Sequence, residues 1–166
     1  MVEEGATPAA AELARHGITG RAIISAYDRL HAVPVIAASI LLDGDTFIED
    51  RTGFAAWVTP VTLGGVTVDR IAFRPTRPAQ WWSERGAAIL GEDAAISAAL
   101  SEMSIRLFRT PLAWLCAGCD GAVILGNMWP LSLRAEIVPE DRDHARDIAA
   151  LHRRNLTPRL ALRAAA

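Results

Sequence analysis

Residues 135–154, AEIVPEDRDHARDIAALHRR, decide how this chain is read. A short apolar run ends in a knot of acids, Glu140, Asp141 and Asp143, and the acids open a stretch with apolar residues at helical spacing. This is the pattern of a strand feeding a helix. Two readings of the acids stay open. They gather at the carboxyl end of a strand as ligands for a cation, or they cap a solvated helix, whose first turn favours negative charge by about 0.3 to 1 kcal/mol with no metal at all.

The same rhythm extends upstream. AAIL precedes the helical stretch EDAAISAALSEM; SIRLF precedes TPLAWLCAG, with Thr110 as cap and Pro111 at the first helical position; GAVIL and AEIV follow. Alternation of short apolar runs with helices predicts, over residues 86–155, a mostly parallel sheet with helices on both faces. Residues 156–166 read as a loose or lightly docked tail. Residues 33–74 follow another pattern: a β-branched run, an Asp-Gly turn, then alternating strands punctuated by Gly-Gly and Pro, which predicts a small antiparallel section. RPTRPAQWWSERG, with its two prolines, reads as a loop or linker. Residues 1–32 predict a helical hairpin, Thr7–His16 and Thr19–His31 around the turn HGITG, with Thr19 as N-cap. Together these segments predict a single α/β domain spanning residues 1–166.

Composition removes several classes of function. A net charge of −2 and a pI near 6.1 give no global basic field for nucleic acid or anionic membrane. All 17 basic residues are arginine, which excludes a P-loop lysine, a Schiff-base lysine and a Ser-Lys pair. The acidic N-terminal residues carry no export signal, and the longest apolar runs fall short of the roughly 20 residues that span a bilayer. A cytoplasmic chain with two reduced cysteines and no membrane contact is the expectation.

In open α/β sheets ligands bind where strands present their carboxyl ends. Two acidic groups qualify: Glu92 and Asp93 after AAILG, and Glu140, Asp141 and Asp143 after AEIVP. On adjacent strands they would offer the oxygen ligands an octahedral Mg²⁺ requires. AAILGEDAAISAAL, followed about fifty residues later by EIVPEDRDHARDIAALHRR, resembles the Toprim domain of primases and topoisomerases, in particular the short versions encoded by phages and plasmids. The resemblance covers Ala87 to about Arg154. It implies Glu92 as general acid/base, Asp141 and Asp143 with Glu140 beside them as metal carboxylates, Mg²⁺ as cofactor, and a role as accessory to DNA replication or processing, on a mobile element. Asp93 stands where the family commonly has Gly, Arg142 separates the two aspartates, and no lysine is present to meet a phosphate. The resemblance thus leaves both an active and a catalytically degenerate form open.

Three other features carry readings. Arg74, Arg77 and Arg85 surround Trp81 and Trp82, a combination suited to a protein interface or to stacked bases, with coverage of the core by both indoles as the plain alternative. Residues 12–30 match a DNA-binding helix-turn-helix in which Gly17 forms the turn, Ile18 and Ile23 lock the helices, and Arg21, Ser25 and Arg29 face DNA; an ordinary helical hairpin has the same spacing. Cys116 and Cys119 form a lone CxxC at the end of a helix, where buried free thiols are expected, not a redox or zinc site. Three functions therefore stand: a Toprim-like accessory, a non-catalytic protein-interaction module using residues 74–85, and DNA binding by residues 12–30.

Overall fold

The computed structural model describes residues 6–127 and 129–164, with side chains described through Asn155. Residues 1–5, which hold most of the acidic N-terminal stretch, lie outside it. The chain opens with α1 (Ala10–Arg15) and α2 (Gly20–Leu30), the predicted hairpin. Thr19 caps α2 as expected, its hydroxyl accepting the Ala22 N–H at 3.1 Å. α1 is shorter than predicted because Ala9, at its start, has no side chain to satisfy the orphan N–H groups. Ala22, Ala26 and Leu30 form the buried stripe of α2, one helical turn apart.

The next strands close on themselves. β1 (Ile36–Asp43) and β2 (Thr46–Glu49) form a hairpin whose turn uses Gly44 at φ +62°, a conformation that costs glycine nothing. β3 (Phe54–Leu63), β4 (Val66–Arg74) and β5 (Arg77–Ser83) follow as a meander, and the order β1-β2-β5-β4-β3 makes a five-stranded barrel sealed by a parallel contact between Thr46 and Ser83. The predicted small antiparallel section is therefore a closed barrel, and it takes in the stretch predicted to be a linker. The two prolines do not prevent this. Pro75 sits in the β4–β5 turn, and Pro78 falls where the register jumps from Arg74↔Arg77 to Phe73↔Trp81, so no ladder bond needs its missing N–H. Ile40, Phe47, Ala56, Val58 and Ala72 fill the interior.

The second sheet has the order β6-β8-β7-β9, from β6 (Ile89–Leu90), β7 (Ser104–Phe108), β8 (Ala122–Ile124) and β9 (Glu136–Val138). β7 pairs in parallel with β8 and β9, but β6 runs antiparallel to β8, so the sheet is mixed. A strand of two residues has little pairing of its own to set its direction; Gly91, at φ +77°, turns the chain tightly against the Gly121 carbonyl instead. Helices cover both faces, as predicted. α3 (Glu92–Leu100) and the start of α5 (Arg142–Ala164) pack on Ile89, Ile105, Leu107 and Ala122. α4 (Pro111–Cys116), with the hairpin and the outer wall of the barrel, packs on Leu90, Phe108 and Val123. Thr110 and Pro111 start α4 as read from the sequence, the Thr110 hydroxyl accepting the Ala113 N–H at 3.1 Å. Trp114 is fully buried in this larger core and its indole N–H reaches the Gly121 carbonyl at 2.9 Å, satisfying the ring's one donor. The backbone of α5 continues to Ala164, so most of the predicted loose tail is helical; its side chains lie outside the described residues. Among the described residues, no helix is long and apolar enough to cross a membrane.

Candidate functional site

The three parallel strands β7, β8 and β9 present their carboxyl ends together. β7 leads into α4 on one face of the sheet and β9 into α5 on the other. Neighbouring strands whose connections leave on opposite faces form a crevice, the usual ligand position in open α/β sheets. Here it is a cleft of about 250 Å³ lined by the end of β7, the chain after β8 and one side of α5.

Arg109, directly after β7, organises the acids around this cleft. Its backbone N–H donates to Glu140 Oε2 at 2.9 Å, and its Nη2 donates to Asp141 Oδ1 at 2.8 Å. Its Nη1 lies 4.0 Å from Asp147 Oδ2. Asp141 Oδ1 also accepts the His144 N–H at 2.8 Å, so Asp141 is the N-cap of α5. That backbone bond, with the charge of Arg109, holds the Asp141 carboxyl below the usual carboxylate range. Asp143 points elsewhere: it pairs with Arg146 at 2.7 Å on the exposed side of the helix. The cap reading of the acids therefore describes their geometry.

His144 is 8 % exposed. Its Nδ1 accepts the Glu140 N–H at 3.2 Å, which places the ring proton of the neutral form on Nε2. Burial first, then the positive Arg109, hold this imidazole below the ordinary histidine range, against the opposing pull of Glu140, Asp141 and Asp147.

The structure does not bring Glu92 to this place. Because β6 is antiparallel to β8, its carboxyl end lies at the amino end of the parallel strands, and Gly91 is packed against Gly121, just before β8. β9, followed by Glu140 and Asp141, is the opposite edge strand. The expected convergence of Glu92 with Asp141 and Asp143 fails for this reason. Glu92 instead lines a crevice of about 580 Å³ between barrel and sheet, with Arg85 and Ser132. Among the described residues no three His, Cys, Asp or Glu side chains are grouped so as to hold a metal ion. The four carboxylates do not fit the Mg²⁺ centre that the resemblance implies: Asp141 is a cap paired to a guanidinium, Glu140 accepts the Arg109 N–H, Asp143 faces solvent and Glu92 lies across the sheet.

The Arg and Trp segment is strand β5 and its continuation, and pleating divides its indoles. Trp81 joins the core between barrel and sheet and donates to the Leu125 carbonyl at 2.9 Å. Trp82 packs against the barrel interior, edge-to-face on Phe54 at 5.5 Å. The Arg74 guanidinium lies over the other partner of that pair, 4.0 Å from the Phe54 ring centre. Arg74, Phe54 and Trp82 are all half-buried, and Arg77 is exposed beyond them. Arg85 donates to the Val68 carbonyl at 3.2 Å and belongs to the other crevice.

In the hairpin, Ser25 is turned toward Gly118 at the end of α4, and Arg29 pairs with Asp120 at 3.2 Å. Two of the three side chains expected to face DNA are thus engaged with the protein itself. Cys116 and Cys119 are free thiols, half-buried and buried, and burial raises both above the usual thiol range.

Sequence reasoning missed Asp69, which is 4 % exposed and accepts from four donors: the N–H groups of Arg70, Arg85 and Ala87 at 2.7, 2.9 and 2.7 Å, and the Ser83 hydroxyl. It ties the barrel to the segment that enters the second sheet. An acid at an inward position of an alternating strand, in TVDRIAF, was the available signal. No family model, curated protein or solved structure matches the chain.

Proposed function

We propose that this chain is a non-catalytic protein-interaction module that docks an acidic, aromatic-containing segment of a partner on the barrel end formed by Arg74, Phe54, Trp82 and Arg77. The observation that carries this reading is the stack itself: a guanidinium over a ring, a second ring against its edge, all half-exposed. Holding Arg74 over Phe54 fixes a long side chain before any partner arrives, so less rotamer entropy is lost on docking. Arginine and tryptophan are the residues on which interface energy concentrates. The near-neutral overall charge favours a protein over a nucleic acid, because phosphate backbones need a broad basic field.

A defined pair of probes tests this. A synthetic peptide of alternating glutamate and phenylalanine should bind and change the emission of Trp82, and Trp82→Phe should remove that change. Arg77→Glu should weaken the peptide about tenfold or more, through lost charge complementarity. A single-stranded oligonucleotide binding at the same residues in place of the peptide would overturn the reading. So would millimolar Mg²⁺ raising the melting temperature in a way that Asp141→Asn abolishes, since a metal site adds stability only when metal binds the folded chain. Either result would return the Toprim-like accessory to first place.

A further inference from the structure

The cleft at the carboxyl ends of β7, β8 and β9 is lined by one buried side chain of which the fold uses only half. His144 is enclosed, with Nδ1 occupied by the Glu140 N–H, yet Nε2 has no protein partner among the described residues. Nor is it one of the sealed, unpartnered side-chain atoms, which are Thr59 Oγ1 and Ser132 Oγ. A buried imidazole whose remaining N–H is neither bonded nor sealed off opens onto free space, and the free space it lines is this cleft. A donor that opens onto a cleft in this way is met there by water or by a ligand.

The other polar groups of the cleft set the sign of what would bind. Arg154 stands on the same stripe of α5 as His144, Ile148 and Leu151, is exposed at the rim, and has no ion-pair partner among the described residues. The Nη1 of Arg109 has only the 4.0 Å approach of Asp147, whose carboxylate is 79 % exposed and solvated. Three donors thus face one carboxylate, and Asn127 adds an amide able to donate or accept. Leu107, Phe108, Ile124, Ile148 and Leu151 supply the apolar walls.

We infer that this cleft is a binding site for a small organic monocarboxylate with an apolar body. The carboxylate would accept from His144 Nε2 and Arg154, while the body lies against the apolar walls. Asp147 at the rim argues for a single negative charge, because a doubly charged phosphate would be repelled there. The volume of about 250 Å³ lies just below the range for drug-sized ligands, which limits the occupant to a compact metabolite. This site is separate from the barrel end and does not depend on it.

Sodium benzoate is a suitable probe, with benzyl alcohol and inorganic phosphate as controls on the full chain. Benzoate should shift the imidazole resonances of His144 and bind at least about tenfold more tightly than either control, as expected for hydrogen bonds to a charged group. Arg154→Gln, an exposed substitution that leaves the core untouched, should weaken benzoate about tenfold and leave the melting temperature without ligand unchanged. His144→Gln should weaken it as well. The inference is overturned if benzoate does not bind, if benzyl alcohol or phosphate binds as tightly, or if Arg154→Gln leaves the affinity for benzoate unaltered.

Discussion

Replacing Asp69 tests the junction of the two halves directly. One carboxylate oxygen accepts from Arg70 and Arg85, the other from Ser83 and Ala87. Asp69→Ala removes all four hydrogen bonds at once. The Arg85 N–H is near solvent and recovers a water, and the Ala87 N–H keeps its second bond to Ser83 Oγ at 2.9 Å. The Arg70 N–H and the Ser83 hydroxyl are left with the main loss. Both donors are only part-buried, so at about 1 to 2 kcal/mol each, the lower part of the range for an unsatisfied group, the variant should lose about 2 to 4 kcal/mol of unfolding free energy. For a chain of this length that is a fall of about 5 to 15 °C in melting temperature. Asp69→Asn keeps one oxygen and turns an amide N–H₂ toward the other pair of donors, so about half the loss is expected. Urea unfolding followed by tryptophan emission measures both, with the slope checked for unchanged two-state behaviour. If Asp69→Ala unfolds within about 0.5 kcal/mol of the unaltered chain, the carboxylate does not join barrel to sheet as described.

Gly91→Ala should cost about 2 to 4 kcal/mol, because φ is +77° and a Cβ there would lie 2.2 Å from the Gly121 carbonyl oxygen; Gly44→Ala, at φ +62° with open space around it, should cost only about 1 kcal/mol, and equal costs in urea titrations would refute the close approach. Folded protein at pH 8 should leave Cys119 unlabelled by a thiol reagent and label Cys116 slowly, since burial disfavours both thiolates, while urea should expose both; prompt labelling of Cys119 would contradict its burial. The hydrogen bond from Arg70 holds the Glu84 carboxyl below the usual carboxylate range. Its contribution is therefore present above the ordinary glutamate pKa and lost as pH falls through the lower folded value. Glu84→Gln should flatten the acid side of a melting-temperature profile, and an unchanged profile would show the pair to be idle.

The legible parts of the fold were those fixed by neighbours in sequence. Thr19 and Thr110 cap the helices they precede because a hydroxyl three residues from an orphan N–H needs nothing distant. Apolar alternation similarly sets two faces on the second sheet. Strand direction and barrel closure were not legible, for they depend on pairs far apart. β6 has two residues and takes its direction from the packing of Gly91 on Gly121, and the barrel closes through Thr46 and Ser83, one register pair. The prolines at 75 and 78 read as a break because their tolerance depends on a register jump visible only once β4 and β5 are paired.

The same distinction explains why the acid knot was ambiguous. Both readings of Glu140, Asp141 and Asp143 place carboxylates at a strand's carboxyl end and at a helix start, so local sequence satisfies each equally. What separates them is a residue some thirty positions upstream. Arg109, at the end of the neighbouring parallel strand, arrives with a backbone N–H for Glu140 and a guanidinium for Asp141. A cation entering there would have to displace a charge-assisted bond and an N-cap together, which three unpaired acids would not have required. Burial, then the positive charge of Arg109, holds the His144 imidazole below the ordinary histidine range against the pull of these acids, and in the neutral ring Nε2 is the donor. The guanidinium that engages Asp141 therefore also favours the neutral form of the imidazole beside it.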